Sequence, residues 1–202
     1  ASTHAEAIAT LKSAIEAAQT VLSADDATND DYNAVLKALR TALGALTDID
    51  PAGYLLNMST GDFTAGSGSF RSRWETTAAR PHISFYCGPN NMNTTNGNIN
   101  IFSGTAGSSV YTLQVSDGYL IDRFELDATL ASDNATITTG GKTYTLKVGQ
   151  AVHISVSDVG IGATELTLAG ANKQVALTNF RVFLKADDGA PAQLFKTTTI
   201  TD

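Results

Sequence analysis

The hydrophobic period of this chain changes once, near Gly53, and that change divides what its 202 residues can become. Before it, apolar residues recur every three or four positions. In "THAEAIATLKSAIEAAQTVL" the residues Ile8, Leu11, Ile15, Ala18 and Leu22 line one helical face, and in "DYNAVLKALRTALGAL" the set Tyr32, Leu36, Leu39, Leu43 and Leu46 does the same. Thr3 and Glu6 have capping-box spacing at the start. The polar link "SADDATND" offers Thr28, Asn29 or Asp30 as an N-cap, with acids where the helix dipole favours them. Two amphipathic helices with a short link predict an antiparallel hairpin over residues 1–50. Each helix buries a single stripe, so the pair needs a further surface to be stable.

After Gly53 the period is two. "YLLNM", "SFRSRWET", "HISFYC", "NINIF", "VYTLQV", "RFELDATL", "ATIT", "TYTLKV", "AVHISV", "ELTLA" and "VALTNFRVFL" are short, rich in β-branched and aromatic residues, and bounded by Gly, Asn, Asp or Ser. In "TTGGKTY", Gly140 and Gly141 suit the positive φ angles of a two-residue hairpin loop. No helix-length pattern interrupts these segments, which argues against a parallel α/β sheet. The fold class is therefore mainly β: an antiparallel β-sandwich or jelly roll over residues 51–187, preceded by the small α-helical hairpin. Residues 188–202 read as a tail, either a linker or an edge strand.

Charge and composition narrow the function classes. A net charge of −7 disfavours nucleic acid and anionic membrane as bulk partners. No apolar run is long enough for a membrane span. The lone Cys87 makes neither an internal disulfide nor a zinc site, and His4, His82 and His153 lack metal-ligand spacing, so no cofactor or metal is expected. The acidic "DDATNDD" lacks the glycine and glutamate of an EF-hand loop and is better explained as helix capping. Glu125 and Asp127 share a strand face as an acid/base pair would, with no third feature beside them. No Ser elbow, P-loop, dinucleotide fingerprint or zinc helix is present, so no enzyme is expected.

The chemistry-bearing side chains concentrate in "FRSRWETTAARPHISFYCGPNNMNTTNGNINIF", which holds the only Trp and the only Cys. Alternation puts Phe70 and Trp74 on one face and Arg71, Arg73 and Glu75 on the other. On the next segment Ile83, Phe85 and Cys87 form the apolar set, opposite His82, Ser84 and Tyr86. Two Arg residues roughly 7 Å apart on a pleat can grip a carboxylate, while Tyr86, or Trp74 if its ring is open, stacks on a sugar face. Asn90, Asn91 and Asn93 add amides that suit hydroxyls. The candidate ligand set is Arg71, Arg73, Trp74, Tyr86, Asn90, Asn91 and Asn93. The competing reading is structural: Trp74 in the core, the Arg pair on a solvated face with Glu75, and the Asn-rich segment as a self-bonding turn.

The pieces "FRSRWETT", "CGPNNM", "SGTAGSSVYTL", "GYLIDRFEL" and "VALTNFRVFL", spread over residues 54–185, resemble a β-sandwich module of large secreted glycan-degrading enzymes of gut bacteria of the Bacteroidetes type. There it stands beside sialidase-type catalytic domains as a carbohydrate-binding or accessory unit. The helical hairpin resembles two-helix spacers that flank such modules. The resemblance implies binding of host glycans, sialylated ones included, an attached glycoside hydrolase, and a secreted, cell-surface or periplasmic location. The sialidase repeat S-x-D-x-G-x-T-W is missing here, so the resemblance implies the non-catalytic part. A structural or protein-interaction spacer is the alternative.

Overall fold

A computed structural model describes residues 2–46, 49–57, 63–65, 73–77, 81–88, 91–132, 134–187 and 189. It is mainly β, with two antiparallel sheets and two N-terminal helices. The chain falls into two compact units. One holds the helices, Asp117–Tyr119 and the described residues from Ala186 on; the other holds Ile49–Ser116 and Leu120–Lys185.

In the first unit, α1 (Ser2–Leu22) and α2 (Asn29–Gly44) form the expected hairpin. Thr3 lies inside α1 rather than ahead of it, so it does not cap the helix. Of the three N-cap candidates for α2, Thr28 takes the role. Its hydroxyl oxygen accepts from the Asp31 backbone N–H at 3.3 Å, and the Asp31 carboxylate accepts from the Thr28 backbone N–H at 2.9 Å. The helices bury small residues, Ala14, Ala18 and Ala42, while several large heptad residues stay outside. Asp187 donates its backbone N–H to the Gly118 carbonyl and lies close to Gly44 at the end of α2.

In the second unit the strands are β1 (Tyr54–Leu55), β2 (Phe63–Ala65), β3 (Arg73–Thr76), β4 (Ile83–Cys87), β5 (Met92–Thr95), β6 (Asn98–Phe102), β7 (Ser108–Val115), β8 (Tyr119–Leu130), β9 (Ala135–Thr139), β10 (Lys142–Leu146), β11 (Ala151–Val156), β12 (Ala163–Ala169) and β13 (Gln174–Ala186). One sheet runs β11-β8-β13-β6-β5, with β1 on β13; the other runs β10-β9-β12-β7-β4-β3-β2. Gly140 and Gly141 (φ 55° and 71°) close the β9–β10 hairpin as expected. The structure adds β5, where the sequence reads as a turn-rich loop. Asn96 and Gly97 (φ 52° and 80°) close a second hairpin that pairs β5 with β6.

Aromatic rings join the two sheets. Phe85 on β4 stacks on Tyr111 of β7 at 5.6 Å and meets the edge of Phe180 on β13 at 5.2 Å. Ile83, Ile99, Leu126 and Ile137 are fully buried as well. Inward alternation slips by one residue twice, at Asp122–Arg123 on β8 and at Thr178–Asn179 on β13. Asn179 has φ 50°, the geometry of a strand that takes in an extra residue and re-aims its side chain. The tail expected at residues 188–202 lies, Gly189 apart, outside the described residues.

Candidate functional site

The outer face of the seven-stranded sheet carries the polar set the alternation assigns to it. Cross-strand register places Arg73 opposite Tyr86, Tyr86 opposite Thr112, and Thr112 opposite Glu165. One pleat further, Glu75 faces Ser84 and Ser84 faces Gln114. Residues in register share a face, so these form two parallel rows.

Within the rows the side chains are held by one another. The Arg73 guanidinium lies over the Tyr86 ring, 4.6 Å from its centre, a cation–π contact. Arg73 also reaches Glu75 at 3.8 Å, and the same Glu75 oxygen contacts His82 Nε2 at 3.2 Å. Arg73 and His82 are each nearly half exposed, so these contacts are surface pairs that cost little to exchange. Val110, an exposed large apolar residue, lies two positions from Thr112 on β7, on the same face. The face thus joins a cation–aromatic contact, a carboxylate, an imidazole, an amide and an apolar neighbour. Such a surface offers donors and acceptors in alternation, the arrangement that vicinal hydroxyls need.

The expected ligand residues separate on this frame. Arg73 and Tyr86 come together. Arg71 and Asn90 lie outside the described residues. Trp74 is removed from the set: it is 4 % exposed on the inner face, opposite Phe85, so its ring does not reach a ligand. Its Nε1 is buried with no partner among the described residues. Asn91 is a structural tie. Its amide donates to Ser109 Oγ at 2.8 Å, and its carbonyl accepts from the Phe102 N–H and the Tyr111 hydroxyl. Asn93 stands on β5 in the other sheet and accepts from the Asn100 amide, so it does not share the Arg73 face.

His82, Thr112 and Gln114 join the site although no motif announces them. The signal for His82 was its alternation with Tyr86; the other two follow only from strand register. On the outer face of the other sheet, Asp127 accepts from the Asn179 amide at 2.7 Å and pairs with His153 Nδ1 at 2.9 Å. These contacts, the Asn179 bond first and then the His153 bond, hold the Asp127 carboxyl below its ordinary range. A carboxylate kept ionised in this way is a poor proton donor. Among the described residues no cluster suited to a metal ion occurs, and no helix is long and apolar enough to cross a membrane.

No protein-family model matches the chain, and no curated protein is found similar to it. Among solved structures, a variant of the family 29 carbohydrate-binding module CBM29-2 in complex with mannohexaose is similar at 9% identity and a TM-score of 0.33, over 51% of this chain and 78% of that one. Another family 29 variant is similar at 10% identity and a TM-score of 0.37, over 66% of this chain and 90% of that one. Likeness at this level assigns no ligand.

Proposed function

We propose that this chain is a non-catalytic carbohydrate-binding module whose ligand rests on the outer face of the seven-stranded sheet. The observation that carries the reading is the Arg73–Tyr86 contact, flanked by Glu75 and His82 on an open face. A pyranose offers an apolar C–H face and a rim of hydroxyls. Tyr86 and Val110 suit the first; Arg73, Glu75, His82 and Gln114 suit the second. Arg71 belongs to the proposed set by sequence alternation. The fuller reading is that the module recognises host glycans, sialylated ones included, and brings an attached glycoside hydrolase to them from an extracellular or cell-surface location.

Glycan-array binding of the whole chain tests this, read beside Arg73→Ala, Tyr86→Ala and the Arg71→Ala/Arg73→Ala pair. Each substitution lowers binding by about tenfold or more, the scale of an interface hot spot, with the fold intact by circular dichroism. Glu75→Gln separates ligand classes. It strengthens binding of a sialylated glycan, whose carboxylate no longer competes with Glu75 for Arg73, and weakens or leaves unchanged a neutral one. A folded chain that binds no glycan would overturn the proposal and leave the spacer reading.

A further inference from the structure

The helical hairpin shows several of its large residues to solvent while its buried positions are small ones. Ile8, Leu11, Ile15, Ala18 and Leu22 on α1 step by three and four, and so do Tyr32, Leu36, Leu39 and Leu43 on α2. That strict alternation averages 3.5 residues, the repeat of a coiled-coil or four-helix seam. Within one copy Ala14, Ala18 and Ala42 are buried. Of that set Ala18 is buried and Leu11, Leu39 and Leu43 are half-buried, while Leu22 is 71 % exposed and Ile8, Ile15, Tyr32 and Leu36 each at least 40 %. An apolar groove of about 300 Å³ is lined by Leu11, Ile15, Leu36, Leu39 and Leu43, with Arg40 and Asp117 at its side.

We infer that this face is the dimer interface of the chain, docking a second copy of the same hairpin to complete a four-helix bundle. The inference is independent of the glycan reading. Charge chooses the occupant and its direction. The turn end of the hairpin carries Asp25, Asp26, Asp30 and Asp31, while Lys12, Lys37 and Arg40 lie nearer its middle. Parallel docking would stack the acids of both copies on one another. Antiparallel docking about a two-fold axis lays α1 on α1 and α2 on α2. Centred on the exposed residues nearest the turn, it brings Ile15 against Leu22 of the partner subunit and Leu36 against Tyr32 of the partner subunit. The same register sets the acidic turn over Lys12 and Lys37 of the partner subunit, while Arg40 is held by Asp187 of its own chain at 3.9 Å. A closed two-fold contact of this kind is self-complementary, as isologous interfaces must be.

Sedimentation velocity of the full chain across a concentration series tests the inference. A reversible species of twice the 21.1 kDa chain mass is expected. Leu36→Glu and Ile15→Glu weaken it by about a hundredfold, the size of a central hot-spot loss. Both positions are exposed in one copy, so the monomer folds; Ser13→Glu, placed off the seam, leaves the dimer unchanged. For direction, mixing Ile15→Cys with Leu22→Cys chains gives an oxidised heterodimer in high yield, while Leu22→Cys alone crosslinks poorly. A chain monomeric at every concentration would overturn the inference and leave the seam to another segment or another helix. A dimer indifferent to both Glu substitutions, or efficient Leu22→Cys self-crosslinking, would overturn it as well.

Discussion

Tyr111 shows how one hydroxyl can hold two segments. Its ring is fully buried against Phe85, and its oxygen accepts from the Phe102 N–H at 2.9 Å while the Asn91 and Phe102 carbonyls lie within donor reach. Burial is the main reason its phenol ionises far above the usual tyrosine range. Tyr111→Phe keeps the packing and removes the hydroxyl's bonds, while the Phe102 N–H keeps the Asn91 carbonyl as its acceptor, so urea denaturation should show a loss of about 0.5–1.5 kcal/mol. Asp127 gives a pH signature instead. Because its folded carboxyl titrates lower than its unfolded one, its contribution is present above the unfolded pKa near 3.8 and fades as pH falls through the folded value. Asp127→Asn should therefore flatten the acid limb of the stability–pH curve below about pH 4, relative to wild type, in thermal melts at stepped pH. At this scale the sequence was partly legible. Alternation placed Arg73 and Tyr86 outward and Phe85 and Cys87 inward, and the structure agrees. It was silent on Asn91 and Asn93, because an amide that ties loops and one that binds a ligand look alike in sequence.

Hairpins and caps are the elements where local chemistry decided the outcome. The Gly140–Gly141 turn was readable because positive φ at consecutive residues is cheap only for glycine. A Cβ at Gly140 would also stand 2.6 Å from Val156 Cγ1. Gly140→Ala should thus lower the melting temperature by more than Gly141→Ala, whose added methyl meets nothing within 4 Å. The β5–β6 hairpin went unread because "NMNTT" lacks the β-branched alternation that marks a strand, although Asn96–Gly97 carried the turn signal. On α2, Thr28→Ala removes the cap acceptor and costs about 1 kcal/mol. Amide exchange at Asp30–Tyr32 should then accelerate while that of β7 stays unchanged.

For the whole molecule, periodicity gave the order of parts but not which strands lie side by side. Nothing along the chain says that β4 pairs with β7, or that β5 leaves the Arg73 sheet for the other one. Register arises from side-chain packing between distant segments, and packing is where a sequence pattern runs out. The Phe85–Phe180 contact shows the distance involved. These rings come from opposite sheets, and Phe180→Ala should cost about 3–5 kcal/mol, since it empties the centre where four aromatic rings converge.

That ring contact also sets a clock. Phe85 and Phe180 stand far apart in sequence, so the sandwich must close long loops before its centre rewards it, which places its folding in the millisecond-to-second range. The hairpin's contacts are local, and helix formation relaxes in about 0.1–1 μs. The single Trp74 sits inside the sandwich and far-UV ellipticity is dominated by the helices, so two optical signals separate the two histories. Refolding should regain ellipticity first and indole fluorescence later. During that interval a newly made chain carries finished helices beside an unfinished sandwich, and its helices are free to meet other chains first.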